Sequence, residues 1–248
     1  MLTSICRNER KAYADIASKS DAPFKCPMCG NETILRKGKV KVHHFAHKPP
    51  VSCEYGKGES EAHRKCKQSI YNSLKQDPNV SECELEKNFG KVVSDVFFIH
   101  NGVKIAIEVQ ISNLTMDRII ERTKAYHDLG VYVLWLCLFD SNLNTECYSP
   151  KLWERWLHVN YYGRVYYWTE DLSLVPIHFG DYLLWVEQTD YGGGYHRVSK
   201  RYKTPKKGSV VNILKDFKCA DRDSWKGGSI DVPRCKIMLD NKKSWWKE

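Results

Sequence analysis

Val93-Ser-Asp-Val-Phe-Phe-Ile-His100, then Asn101-Gly102, then Val103-Lys-Ile-Ala-Ile-Glu-Val-Gln110 sets two alternating runs around a turn dipeptide. Asn-Gly between such runs is a strong signal for a two-residue hairpin loop. With that loop His100 faces Val103, Asp95 faces Glu108 and Val93 faces Gln110. Val96 opposite Ile107 and Phe98 opposite Ile105 then fill the other face. A four-residue loop keeps this register, whereas a three-residue loop breaks it. One face is apolar and the other carries Asp95, Glu108 and Gln110. Directly opposed residues have Cβ atoms about 4.5–5.5 Å apart, so two bare carboxylates there repel. A divalent cation reverses that sign, since Mg²⁺ is commonly held by one or two carboxylates with water and phosphate. The plainer alternative is that both acids face solvent or are neutralised by a nearby Lys or Arg.

Working outward, Ala62, Cys66, Ile70 and Leu74 recur at four-residue spacing and predict a helix over residues 59–75. Ser60 suits its N-cap, and Glu61 suits the positive end of its dipole. Residues 82–89, 91–100 and 103–112 read as strands. A second helix is expected over residues 115–129, closed by Gly130, followed by a buried strand at 131–136. The order helix, three strands, helix, strand implies an α/β sandwich.

Upstream, residues 1–24 show little periodicity, and residues 25–58 have too few apolar side chains to hold a core unaided. Cys26-Pro-Met-Cys29 is a C-x₂-C pair, and His43-His44-Phe-Ala-His47 and Cys53 follow. Cys26, Cys29, His47 and Cys53 are the expected ligands of a tetrahedral zinc site, with His44 as the substitute if Cys53 is not used. Gly30 permits the tight turn of a knuckle. Four protein ligands imply a structural site; unrelated surface Cys and His are the alternative. The other seven of the ten cysteines are scattered and read as core or surface thiols.

The 248 residues carry a net charge of +9, unevenly spread. Residues 1–80 are net +7, residues 81–195 net −7 and residues 196–248 net +9. Basic arms around an acidic centre suit a polyanion such as DNA, although solvated surface charge gives the same numbers. The composition excludes collagen, wholesale disorder and a coiled coil. No apolar run approaches the roughly 20 residues of a membrane span, and residues 1–11 lack the apolar stretch of a signal peptide. A cytoplasmic protein with no membrane association is therefore expected, its cysteines free in a reducing compartment.

The last hundred residues are aromatic and basic. Residues 151–158 look helical, and residues 163–168 and 174–186 contain strand-like runs. Trp153, Trp156, Trp168 and Trp185 are expected in the core rather than as base-stacking platforms. Arg197, Lys200, Arg201 and Lys203, with Tyr202 among them, suit phosphate tracking or single strands. A flexible solvated linker over residues 197–207 is equally compatible. Trp225, Trp245 and Trp246 imply docking onto the body or onto a protein partner.

Cys26-Pro-x-Cys29, His44-Phe-Ala-His47, Glu59-Ser-Glu-Ala-His63, Ser94-Asp95-Val96 and Ile107-Glu108-Val109-Gln110 with Ser112 together resemble the competence protein CoiA-like family. Arg122, Tyr126, Gly130 and Trp135 also fit that pattern, which spans about residues 25–136. Such domains look like the PD-(D/E)XK, or restriction-endonuclease-like, superfamily. The resemblance implies an N-terminal region with a zinc element over 1–58 and a nuclease-like core over 59–139. Residues 140–248, which it does not cover, would form an α+β extension.

The implied chemistry is metal-dependent hydrolysis of DNA phosphodiester bonds, in DNA processing, recombination, competence or phage defence. Asp95 and Glu108 would hold Mg²⁺ or Mn²⁺, and Glu61 would be a further acid reaching the metal or its water. Gln110 occupies the position that is Lys in the superfamily's name; Gln can orient water but brings no positive charge. Ser94 stands where a basic residue is expected. His63 and Lys67, one helical turn apart, would assist from the first helix or form a solvated face. Arg122 and Tyr126 would contact the DNA backbone or support the site. A nuclease fold that binds DNA without cutting it, or a zinc-containing interaction module, are the rival readings.

Overall fold

The computed structural model describes residues 1–248 except 51, 54, 57, 111–114 and 248; Ser112 of the family pattern lies outside the described residues. The chain is mixed α/β with sheet predominating, and it divides into two compact units, Met1–Gly102 and Val103–Glu248.

The first unit begins with five short strands: β1 (Thr3–Ile5), β2 (Lys11–Tyr13), β3 (Phe24–Lys25), β4 (Glu32–Arg36) and β5 (His44–His47). They form one sheet in the order β2-β1-β3-β4-β5. Neither residues 1–24 nor 25–58 holds enough apolar surface alone. Interleaved, they bury Met1, Ala12, Ala14, Phe24, Leu35 and Phe45 in a small common core. The unit continues with helix α1 (Glu61–Leu74) and strands β6 (Val80–Asn88) and β7 (Val93–His100), which pair antiparallel. Ser60 caps α1 by accepting the His63 amide at 3.2 Å. Cys66, Ile70 and Leu74, spaced by four, are fully buried where the helix packs on β6 and β7. Asn101 and Gly102 follow with φ of 49° and 77°. Positive φ at both central residues is the type I′ requirement, and it explains the dipeptide.

The second unit opens with β8 (Val103–Gln110), α2 (Met116–Asp128) and β9 (Tyr132–Leu138). Thr115 caps α2 by accepting the Arg118 amide at 3.4 Å, and Gly130 ends the turn beyond it with φ 68°. Strands β8 and β9 run parallel, with Glu108 beside Trp135. Helix α3 (Leu152–Asn160), β10 (Val165–Glu170), β11 (Ser173–Val186) and β12 (Tyr195–Lys207) follow. They extend this unit's sheet in the order β8-β9-β10-β11-β12. The chain ends with β13 (Val211–Asn212), β14 (Phe217–Arg222), β15 (Trp225–Gly227), β16 (Ile230–Val232) and β17 (Cys235–Asp240). Among these, β17 pairs with both β14 and β9. No helix among the described residues is long and apolar enough to cross a membrane.

Two expectations for the C-terminal region need correction. Residues 197–207 are not a linker: they belong to β12, hydrogen-bonded along β11. Trp153 and Trp156 are core residues as expected, but Trp185 is 50% exposed. Trp246 docks onto the body of its own unit, stacking on His178 with ring centroids 4.3 Å apart and planes 1° from parallel.

Because each cap satisfies a helix-end amide that has no other partner within the helix, Ser60→Ala and Thr115→Ala should each cost about 1 kcal/mol. Urea denaturation of the two variants checks this; midpoints matching the parent chain would show that the caps contribute nothing.

Candidate metal and acid sites

Between β3 and β4 the chain makes a knuckle. The Cys26 amide donates to the Asn31 carbonyl at 2.8 Å and the Gly30 amide to the Cys26 carbonyl at 2.9 Å. Gly30 takes φ 73°, a left-handed conformation that a Cβ would penalise. The Met28 amide points at Cys26 Sγ, 3.4 Å away. Strand β5 brings in His47, whose Nε2 lies 3.4 Å from Cys29 Sγ. The ligand atoms of Cys26, Cys29, His47 and Cys53 all lie within 4.8 Å of one another, so this group can hold a metal ion. Burial holds the His47 imidazole below its ordinary pKa, which favours the neutral form that ligates. His44, the proposed substitute, instead donates from Nδ1 to the Val42 carbonyl at 2.9 Å.

A second constellation lies beneath this sheet. Lys67 is 2% exposed and its ammonium contacts Glu59, Glu86 at 2.8 Å and Asp95 at 3.5 Å. Glu86 and Asp95 lie across from each other on β6 and β7, between the pairs Leu85–Val96 and Lys87–Ser94. Two acids so placed repel unless a cation separates them, and Lys67 is that cation. His63, one turn before Lys67 on α1, sets Nε2 3.1 Å from the other oxygen of Asp95. Glu86 also accepts the Leu2 amide at 2.8 Å, the Thr3 amide at 3.0 Å, the Thr3 hydroxyl at 2.7 Å and the Tyr55 hydroxyl at 3.1 Å. Its backbone takes φ 50°, uncommon for a residue with a Cβ, and stands within this dense network.

Burial pushes the Glu86 carboxyl up, but Lys67, the Met1 amino group and the Leu2 amide outweigh it, bringing its pKa from 4.5 to about 2. Burial likewise opposes the Lys67 ammonium, yet Glu86, Asp95 and Glu59 together hold it protonated. Three carboxylates neutralise this one cation, so Lys67 positions Asp95 and offers no spare charge to a phosphate.

Glu61 sits elsewhere. Its carboxylate accepts the Val42 amide at 2.5 Å and the Arg64 guanidinium at 3.2 Å, and the structure groups Glu59, not Glu61, with Lys67. Sequence reasoning missed Glu59 and Glu86. Glu59 lay in the quoted Glu-Ser-Glu motif, while Glu86 had only its place on a strand to mark it.

In the second unit, Glu108 on β8 is 3% exposed and Gln110 is equally buried. Glu108 Oε1 accepts from both the Tyr126 hydroxyl and the Arg122 guanidinium, one turn apart on α2. The Arg122 guanidinium also lies 6.0 Å from the Trp135 ring, and Trp135 Nε1 donates to Thr123 at 3.1 Å, tying α2 to β9. Arg197, Lys200, Arg201 and Lys203 all lie on β12, with Lys203 bound to Asp181 at 2.8 Å.

Removing the central cation leaves the buried Glu86 carboxylate beside the part-buried Glu59 and Asp95 with no cation between them. Lys67→Met should therefore cost about 3–5 kcal/mol, measured by denaturant unfolding. Since the Glu86 pKa is depressed in the folded chain, its stabilising contribution is present above pH 4.5 and is lost as pH falls towards about 2. The melting temperature should thus decline across that acid window. A flat acid profile would show the cluster contributes little.

Comparison with known proteins follows the same division of features. The family model described as "Competence protein CoiA, nuclease-like domain" matches residues 59–154. That of "Competence protein CoiA, N-terminal domain" matches residues 7–56. A curated relative, "Competence protein CoiA" of Bacillus subtilis (strain 168), is 29% identical over 114 residues, covering 46% of this chain and 31% of the relative. The match thus spans about a third of that relative's length. No solved structure matches. The N-terminal model takes in Cys26, Cys29, His47 and Cys53, and the nuclease-like model takes in Asp95, Glu108 and the helices that hold them. With two models of one family together matching more than half of its length, the chain belongs to the CoiA-like family.

Proposed function

We propose that this protein is a metal-dependent DNA nuclease of PD-(D/E)XK type. The observation that carries the reading is the treatment of two acids, Asp95 and Glu108, within the nuclease-like match. Each is oriented by a pair of side chains one helical turn apart: His63 and Lys67 for Asp95, Arg122 and Tyr126 for Glu108. Residues held this way have fixed rotamers, as a ligand set needs. The elements α1, β6, β7, β8, α2 and β9 follow one another along the chain as helix, three strands, helix and strand, the order this reading expects.

The donor set is carboxylate oxygen, which suits Mg²⁺ or Mn²⁺ over softer ions. Such an ion, when bound, activates water and stabilises charge developing on the phosphate. In this reading Asp95 and Glu108 hold the ion and Gln110 orients the water. His63 and Lys67 keep Asp95 in place, and Arg122 and Tyr126 do the same for Glu108. Glu61, tied to Val42 and Arg64, reaches the site only by releasing both partners.

We assign zinc to the Cys26, Cys29, His47, Cys53 group. Three thiols and one imidazole are a structural zinc donor set, and four protein ligands leave no open position for catalysis. The ion would brace the five-stranded sheet, whose own apolar core is small.

Incubation of the purified chain with Mg²⁺ or Mn²⁺ and single-stranded, duplex or branched DNA tests the first assignment. Cleavage should fall by roughly a thousandfold in Asp95→Ala and in Glu108→Ala, the several kcal/mol a metal ligand supplies. Binding without cleavage, with no metal at these acids, would instead support a non-catalytic nuclease fold, the reading that the uncharged Gln110 favours.

For the second assignment, metal analysis should find about one zinc per chain. Cys26→Ser should lower both zinc content and the melting temperature. A zinc-free chain with unchanged melting would sink it.

A further inference from the structure

Strands β11 and β12 run past the rest of their unit's sheet as a two-stranded arm. At its tip the chain turns over Asp190-Tyr191, closed by a bridge between Thr189 and Gly192, and returns through Gly192-Gly193-Gly194, with φ of 125°, 113° and 71°. A Cβ on Gly193 would stand 1.9 Å from the Glu187 carbonyl oxygen, so the closure depends on glycine there. Near the tip the pairs are Leu183–Val198, Leu184–Arg197, Trp185–His196 and Val186–Tyr195. Directly opposed residues share a face, and alternate residues along a strand do as well. Leu183, Val198, Trp185 and His196 therefore lie on one face, with the Trp185 and His196 rings 5.0 Å apart. Leu183 is 56% exposed, Trp185 50% and Val198 50%, so this face is not covered by the chain itself.

Below the face, the ladder breaks. Between the pairs Asp181–Lys203 and Leu183–Val198, four residues of β12 oppose Tyr182 alone. The Ser199 hydroxyl accepts the Arg201 and Tyr202 amides at 3.2 and 2.9 Å, shaping a bulge that presents Lys200 and Arg201 to solvent. Bulges of this kind re-aim side chains. Along its full length β12 carries six Lys and Arg residues and no Asp or Glu. Asp181, the acid of β11, is bound by Lys203; Glu187 and Asp190 lie out at the tip.

We infer that the outer face of this arm binds single-stranded nucleic acid: unstacked bases lie on Trp185 and its apolar neighbours, and the phosphates run past Lys200 and Arg201. The argument is charge complementarity joined to an uncovered aromatic surface, the pairing that serves single strands without sequence preference. Protein-docking faces are instead depleted of lysine at their centres. A duplex keeps its base faces stacked inside, so Trp185 discriminates strandedness while the cations do not. The arm lies beyond residues 59–154, outside the nuclease-like match. The inference rests on the proposed nucleic-acid partner but not on cleavage.

Fluorescence anisotropy of the full chain with a labelled oligothymidylate of about 15 nucleotides, without added Mg²⁺ or Mn²⁺ so that nothing is cut and the Cys/His site keeps its metal, tests it. Trp185→Ala should weaken single-strand binding roughly tenfold and Trp185→Phe should restore most of it, with a matched duplex changed less than about twofold. Lys200→Ala with Arg201→Ala should weaken both and reduce the salt slope by about 1.4 for the single strand. The exposed positions leave the fold intact, checked by an unchanged melting temperature. Wild-type binding by Trp185→Ala, equal losses on single and double strands, or no binding by the parent chain would each overturn the inference. The first of these would leave the face to a protein partner. Loss of cleavage in Asp95→Ala with intact single-strand binding separates this arm from the catalytic proposal.

Discussion

The buried ammonium of Lys67 is the constraint on which the first unit depends. Desolvating a charge costs several kcal/mol, and an ion pair recovers that only when its geometry is good and the remaining lone pairs are satisfied. Here one helix residue meets Glu59 from the approach to α1, Glu86 from β6 and Asp95 from β7. Glu86 fills its other lone pairs with the amides of Leu2 and Thr3 at the start of β1, 84 and 83 residues away in sequence. The helix, the two paired strands and the small N-terminal sheet must therefore be in place together. The left-handed backbone of Glu86 is tolerated because so many partners over-determine that position.

The same network shapes what the unit can do. Asp95 is held from α1 by His63 and Lys67, and a carboxylate held on both oxygens keeps its orientation without needing solvent to order it. The Cys/His knuckle follows a different logic. Its ligands come from a loop, the end of β5 and a later segment, gathered around a sheet with only a small apolar core. A metal there supplies cross-linking that the hydrophobic core cannot.

The second unit depends more on aromatic packing. Trp135, Trp156, Tyr161, Tyr166 and Tyr167 are essentially inaccessible, and buried hydroxyls find partners: Tyr148 and Tyr167 on Glu154, Tyr166 on Asp240. Against this, the outer half of the β11–β12 arm leaves its aromatic and aliphatic side chains in solvent. The charge of the C-terminal segment resolves into two parts. Some cations are tied down, as Lys203 is to Asp181 and Lys242 to Asp216, while Lys200 and Arg201 in the bulge are presented outward.

What the sequence by itself determined is whatever obeys local rules. Asn101-Gly102 demands a tight turn because both residues accept positive φ, Ser60 and Thr115 start helices because their hydroxyls cap free amides, and the C-x₂-C pair followed by Gly30 makes a knuckle. The element order and the Cys26, Cys29, His47, Cys53 grouping were legible in this way. Tertiary structure alone decided the rest. Glu59 rather than Glu61 joins Lys67, because the two acids leave the start of α1 in different directions and only the strands opposite show which one meets the cation. Glu86 could not be singled out from its neighbours, since its partners come from the separate segments of Lys67 and Tyr55 and from Leu2 and Thr3, more than eighty residues away. Trp185 resembled the buried tryptophans because alternation assigns a residue to a face of a strand, whereas covering that face depends on elements packed against it. Local chemistry is written in neighbouring residues; burial and long-range charge pairing exist only once distant segments meet.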